Sequence, residues 1–218
     1  MNLEFVNIHT HQSRNKTYTE IINLFPENAE KIISENPHSL FSVGLHPWYI
    51  NENADVLLKE VEKLSGCENV VAIGEAGLDK LCETDFSTQI EVFKAQIQIA
   101  EKARKPLIIH CVKAYQEIFA IKKELQIKVS MIFHGFRGKP ALAEQILYHN
   151  CYLSVGEKSL QNAETIKMIP VEKLFIETDE SNVDIPEIYK KIAGVKNIPV
   201  EKLAQQIQAN FEAIFYLP

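Results

Sequence analysis

Short, almost continuously apolar runs alternate along this chain with longer stretches in which apolar residues return once per helical turn. The runs are Glu4–Ile8, Glu20–Leu24, Leu40–Gly44, Val70–Gly74, Pro106–His110, Met131–His134, Tyr152–Val155 and Leu174–Glu177. Each is too short for a helix and too apolar for a half-exposed strand, which predicts parallel strands covered on both faces. Helical spacing occurs over Asp55–Leu64, with Val56, Leu57, Leu58, Val61 and Leu64 at i, i+1, i+2, i+5 and i+8. It occurs again over Thr88–Arg104, with Ile90, Phe93, Ile97 and Ala100 one turn apart and the polar residues placed on the opposite side. Ala114–Leu125 and Pro140–Tyr148 behave alike, and Pro199–Phe215 predicts a long closing helix. Strands alternating with helices of this length predict βαβ units, and eight strand candidates favour an α/β barrel of the TIM type over an open sheet. One unit is short. Between His11 and Glu20 lies only the polar and aromatic segment QSRNKTYT, less than a crossover of about 10–12 residues requires. The expectation is a somewhat trimmed barrel whose first outer helix is missing.

Bulk properties narrow the class. A length of 218 residues fits a single domain, 1–218, below the roughly 250 residues of a full barrel of this kind. With 46% hydrophobic and 24% charged residues, the composition excludes collagen-like and disordered chains. The cysteines (Cys67, Cys82, Cys111, Cys151) lack CxxC spacing, which suits reduced thiols. The opening MNLEFVNIHTHQ shows no secretory pattern, and no apolar run approaches the ~20 residues of a membrane span. These features lead to the expectation of a cytoplasmic protein with no membrane partner. A formal charge of −6 argues against a sequence-blind wrapper of nucleic acid. It leaves open an enzyme that meets phosphate through cations.

The positions of the histidines carry the chemistry. His9 and His11 follow the first predicted strand, His110 the fifth and His134 the sixth. Glu75 follows the fourth and Asp179 the eighth. In a parallel barrel the C-terminal strand ends meet at one face, where active sites are built. Four imidazoles and two carboxylates there form a mixed nitrogen and oxygen set suited to Zn, Mn, Ni or Fe, with Mg at a more oxygen-rich position. Residues i and i+2 of a strand point the same way, so His9 and His11 can reach one ion. Asp179, in Phe175–Asp179, ends an apolar run with an acidic pair; it reads as a ligand that also takes a proton from water.

Taken in order, these motifs resemble the TatD family of metal-dependent deoxyribonucleases, within the amidohydrolase-like barrel superfamily. The resemblance rests on His9-Thr10-His11, Val43–Pro47, Ile73–Asp79, the helix Gln89–Ala100 leading into Pro106–His110, Phe133–Gly138, Tyr152–Gly156, Phe175–Asp179 and the closing helix with Asn210 and Phe215. It implies two divalent metal ions (Mg or Mn in activity, Zn or Ni as alternatives). His9, His11, Glu75 and Asp179 would hold one, and Glu75 would bridge to a second held by His110 and His134. It also implies DNA or another phosphodiester as substrate and 3′→5′ exonuclease chemistry, with Asp179 and Glu75 as the catalytic carboxylates. His46, Lys113 and Arg137 are the expected substrate contacts, with a turn before Pro47 as the other reading of His46 and solvated loop charge as that of Arg137.

Three departures from the family pattern concern the substrate. Asn7 stands where the family carries an acid, Val112 where it carries an arginine, and Glu180–Asp184 is a short loop before Ile185-Pro186. Trp48 and Tyr49 read as packing beneath a loop, with a base-stacking platform as the alternative. Cys111 is expected to face away from His110. Two other activities remain compatible: amidohydrolase-type cleavage of a C–N or ester bond in a small metabolite, and metal binding without catalysis. Against the first, a carbamylated lysine often bridges the metals in such relatives, and Glu75 stands at that strand end here.

Overall fold

The computed structural model describes residues 4–12 and 18–215. Its strands are β1 (Val6–Thr10), β2 (Thr19–Leu24), β3 (Leu40–Val43), β4 (Val70–Asp79), β5 (Leu107–Val112), β6 (Met131–Phe133), β7 (Tyr152–Val155) and β8 (Leu174–Ile176). They follow one another in the sheet in chain order. The helices are α1 (Pro26–Glu35), α2 (Ala54–Leu64), α3 (Phe86–Ala103), α4 (Tyr115–Glu124), α5 (Pro140–Tyr148), α6 (Ala163–Met168), α7 (Ile185–Lys196) and α8 (Val200–Ile214). The missing first crossover helix falls partly on residues 13–17, outside the described residues.

The chain forms two compact units. One takes in the N-terminal segment to Ile22 and Ile132–Ile214. Here β6, β7 and β8 pair in parallel, β1 pairs with β2, and a parallel Thr10–Asp179 bridge links β1 to the end of β8. The buried Tyr189 of α7 donates its hydroxyl to the carbonyl of Val6 at 2.8 Å and accepts the Val6 N–H at 3.2 Å, which locks that helix to β1. Asn210 of α8 donates to the carbonyls of Val171 and Leu174, fixing the entry to β8.

The other unit is Asn23–Met131, where β3, β4 and β5 pair in parallel. Its strand β4 continues five residues past the predicted end at Gly74, and all ten of its residues are buried. Gly77 makes this extension possible. Its φ is +159°, and a Cβ there would meet the His110 carbonyl oxygen at 1.9 Å, so only glycine lets β4 lie this close to β5. Helix α3 starts at Asp85, whose carboxylate accepts the Thr88 N–H. It buries Gln89 and Gln96 along with Val92, Phe93, Ile97 and Ala100, which corrects the expectation that its polar residues lie on the side opposite the apolar ones.

Candidate metal centre

In the first unit, His9 lies inside β1 and is fully buried, while His11 sits one residue past the strand and is exposed. Both turn Nε2 towards Asp179, at 3.9 and 3.5 Å from Oδ1. Atoms bound to one ion at ~2.0–2.2 Å lie roughly 3 Å apart, so these gaps are close to a ligand shell. The pointing rule for i and i+2 therefore brings both imidazoles to one carboxylate. Asp179 is aimed by its own backbone: its N–H donates to the His9 carbonyl at 3.0 Å, and its φ of +53° turns the chain out of β8. Asp tolerates that left-handed conformation better than most residues.

His134 stands beside His9, with ring centroids 4.5 Å apart. One ligand atom each from His9, His134 and Asp179 lies within 4.8 Å of the others. Behind His134 is Glu177, fully buried, whose Oε1 accepts the Gly135 N–H at 2.7 Å and lies 3.4 Å from His134 Nδ1. Its Oε2 is buried with no hydrogen-bond partner among the described residues. A buried carboxylate is costly unless a cation or a donor compensates it. The donor set and this carboxylate fit a divalent cation.

Asn7, where the family pattern has an acid, joins three elements. Its amide oxygen accepts the Thr178 N–H at 2.9 Å, and its Nδ2 donates to Thr178 Oγ1 at 2.9 Å and Glu20 Oε1 at 3.3 Å. The residue preceding Asp179 is thereby held from β1. An aspartate could not make those donations.

In the second unit, Glu75 lies within β4, and the strand end belongs to Asp79. Glu75 Oε1 is 2.9 Å from His110 Nδ1 and 3.2 Å from His46 Nε2. Its N–H donates to Asn23 Oδ1, which also accepts the Ser42 hydroxyl. His46 Nδ1 accepts the Trp48 N–H at 3.1 Å, which leaves the ring hydrogen on Nε2, pointing at Glu75. His46 is therefore both a turn residue and a contact of the carboxylate. His46, Glu75 and His110 form a second group with donor atoms within 4.8 Å of one another.

Asp79 is the residue that sequence reasoning missed. Its Oδ2 is 3.2 Å from His110 Nε2 and accepts the Trp48 indole N–H at 2.7 Å, while Oδ1 accepts the Leu81 N–H. Burial pushes its carboxyl up, but the bonds from Trp48, Leu81 and His110 outweigh this and hold it below the usual range. Both nitrogens of His110 therefore face carboxylates. Gln89 grips the Asp79 backbone from both sides, accepting its N–H and donating to its carbonyl. Seven residues along the same face, Gln96 does the same to Leu45, beside His46.

Lys113 and Arg137 are exposed on the segments after β5 and β6. Val112 ends β5 where the family pattern has arginine. Burial pushes the Cys111 thiol up to about 12, which makes it a poor ligand and agrees with its exclusion. Trp48 and Tyr49 are 57% and 55% exposed, which overturns the expectation that they pack beneath a loop.

A family model described as TatD related DNase matches residues 23–216. An uncharacterized metal-dependent hydrolase of Buchnera aphidicola subsp. Baizongia pistaciae is 32% identical over 209 residues, covering 86% of this chain and 78% of its own. A 3'-5' ssDNA/RNA exonuclease TatD from Citrobacter rodentium is 27% identical, covering 87% of this chain and 81% of its own. The crystal structure of a TatD homologue from Escherichia coli K12 superposes with a TM-score of 0.88 at 20% identity over 99% of both chains. A TatD-family hydrolase from Entamoeba histolytica gives 0.83 at 21% identity over 100% of both. At such identities the likeness establishes the fold, an α/β barrel of the TIM type with eight parallel strands.

Proposed function

The chain belongs to the TatD-related DNase family of metal-dependent hydrolases, and on that premise we propose that it cleaves phosphodiester bonds, acting as a 3′→5′ exodeoxyribonuclease. The observation that carries this reading is the pair of mixed donor groups, His9–His134–Asp179 and His46–Glu75–His110. Such nitrogen and oxygen sets suit borderline divalent cations. We assign His9, His11, His134 and Asp179 of the first unit, and Glu75 and His110 of the second, to the holding of two divalent cations, within a single domain, 1–218. When bound, the cations supply Lewis acidity and a water of lowered pKa.

The side chains do the rest. Asp179, turned out of β8 and facing two imidazoles, accepts the proton of the attacking water as its oxygen adds to phosphorus in line with the leaving group. The bond from phosphorus to the 3′-oxygen breaks, and the proton passes to that oxygen. Glu75 is held in position by the hydrogen bond from His46. Lys113 and Arg137 neutralise the remaining phosphate charge; Lys113 replaces, from another angle, the fork that an arginine at position 112 would supply.

The name of the Citrobacter relative, an exonuclease on single-stranded DNA and RNA, supports a nucleic-acid substrate. No described helix is long and apolar enough to cross a membrane, and the four cysteines are free thiols, which suits the proposed cytoplasmic location. To test the reaction class, the Mn²⁺-loaded protein is assayed on bis(4-nitrophenyl) phosphate, on 4-nitrophenyl acetate and on a panel of small amides. Metal-dependent turnover of the diester, well above that of the others, is expected. Turnover confined to the carboxylic ester or the amides would replace this reading with amidohydrolase chemistry, and metal binding with no turnover would replace it with a non-catalytic role.

A further inference from the structure

Six large hydrophobic side chains are exposed among the described residues, and two of them, Trp48 and Leu81, belong to residues that donate to one carboxylate. Trp48 donates its indole N–H to Asp79 Oδ2, and Leu81, 65% exposed, donates its backbone N–H to Asp79 Oδ1. Tyr49 follows Trp48, with its ring centroid 5.7 Å from that of His46. The Trp48 ring itself is 5.9 Å from that of His110 and stands steeply to it, at 73°.

The Tyr49 ring packs edge-on against Phe25, with centroids 5.5 Å apart, but the Trp48 indole stays more than half open. Exposing more than half of an indole is unfavourable, and burial of large aromatics dominates core energetics. Yet the polar edge of this indole is bound at 2.7 Å to a buried carboxylate, so the ring is fixed in place rather than left loose in solvent. The turn that carries it is also held, by the Thr84 hydroxyl on the Pro47 carbonyl. A rigid aromatic with its edge satisfied and much of its surface open offers contact at little entropic cost.

Resting on the phosphodiesterase reading above, we propose that Trp48, flanked by Tyr49 and Leu81, is the stacking platform for the terminal base of a single-stranded nucleic acid. The adjacent His110, its ring centroid 5.9 Å from that of Trp48, belongs to the group assigned to the phosphate chemistry. Stacking is sequence-tolerant because every base has a π-face, and a paired terminal base would have to leave its duplex to reach the platform. The platform would therefore hold the terminal base with little preference among bases.

Trp48 is the sole tryptophan of the chain, so its fluorescence reports on the platform directly. The unmodified protein, in Mg²⁺, is titrated with a phosphorothioate-linked dA tetramer that resists cleavage, and separately with an abasic tetramer of equal charge; labelled copies report binding by anisotropy. Saturable quenching by the dA tetramer is expected, with binding of the abasic backbone weaker by roughly tenfold or more. In variants, Trp48→Phe keeps a ring and should retain most of the dA affinity, whereas Trp48→Leu should lose about tenfold for dA and little for the abasic tetramer. Equal binding of both tetramers without quenching overturns the platform and leaves phosphodiester hydrolysis standing. Absence of binding by either, with no turnover of bis(4-nitrophenyl) phosphate, overturns the underlying reading as well.

Discussion

The Asp79 carboxylate lies 3.2 Å from His110 Nε2, on the side of the ring opposite the nitrogen that meets Glu75. A cation shared by Glu75 and His110 would take the Nδ1 side and leave Nε2–H to donate to Asp79. This is the carboxylate–histidine pairing that orients a ligand and raises its basicity. Replacing Asp79 by Asn removes the charge but keeps the size, and one step of Mn²⁺ binding should weaken by about 10–100-fold. Calorimetric titration of metal-free protein measures this, with circular dichroism as the control for folding. An unchanged affinity would show that Asp79 serves only the turn at Leu81.

The Gln96 side chain makes two hydrogen bonds to the backbone of buried Leu45, at 2.7 and 3.0 Å. Gln96→Leu would leave both groups unsatisfied in the interior, at a cost of about 1–3 kcal/mol. Urea unfolding should show a lower midpoint with the slope unchanged. An unaltered midpoint would mean that the segment holding His46 is supported by other contacts.

Asn7→Asp restores the residue type of the family pattern and, on this structure, should do harm. It removes two donations and sets a second carboxylate beside Glu20 in a buried position. A loss of about 1–3 kcal/mol is expected, with no gain in turnover. Thermal denaturation and the diester assay check the two halves. A stabilised, more active variant would contradict the role given to the amide.

Much of this was legible from residues alone. The limits of β7, at Tyr152–Val155, match the predicted run, because a buried parallel strand bounded by polar turns has one reading. The predicted end of β4 at Gly74 was wrong, because Glu-Ala-Gly-Leu-Asp looks like a polar break. What keeps it in the sheet is the fit of Gly77 against His110, a tertiary fact. Asp79 went unnoticed for the same reason; its even spacing of four residues from Glu75, which puts both on one side of a regular strand, was the available signal. The buried Gln89 and Gln96 resembled a solvated helix face, since periodicity cannot tell a polar group facing water from one facing backbone. Helix α1 was missed because its apolar face is small: only Pro26, Ala29 and Ile33 are buried. Helix α7 was missed as well, although Asp184, Pro186 and Asn197 supply its end signals.

The most direct test of the central claim is cleavage of a 5′-labelled single-stranded DNA oligomer by the purified protein, with Mn²⁺ or Mg²⁺ and with chelator, beside an Asp179→Asn control. The account predicts stepwise shortening from the 3′ end, abolished by chelator and reduced at least 100-fold in the control, roughly the effect of removing a group that acts in proton transfer. Shortening that persists at the full rate in chelator, or in Asp179→Asn, would contradict it.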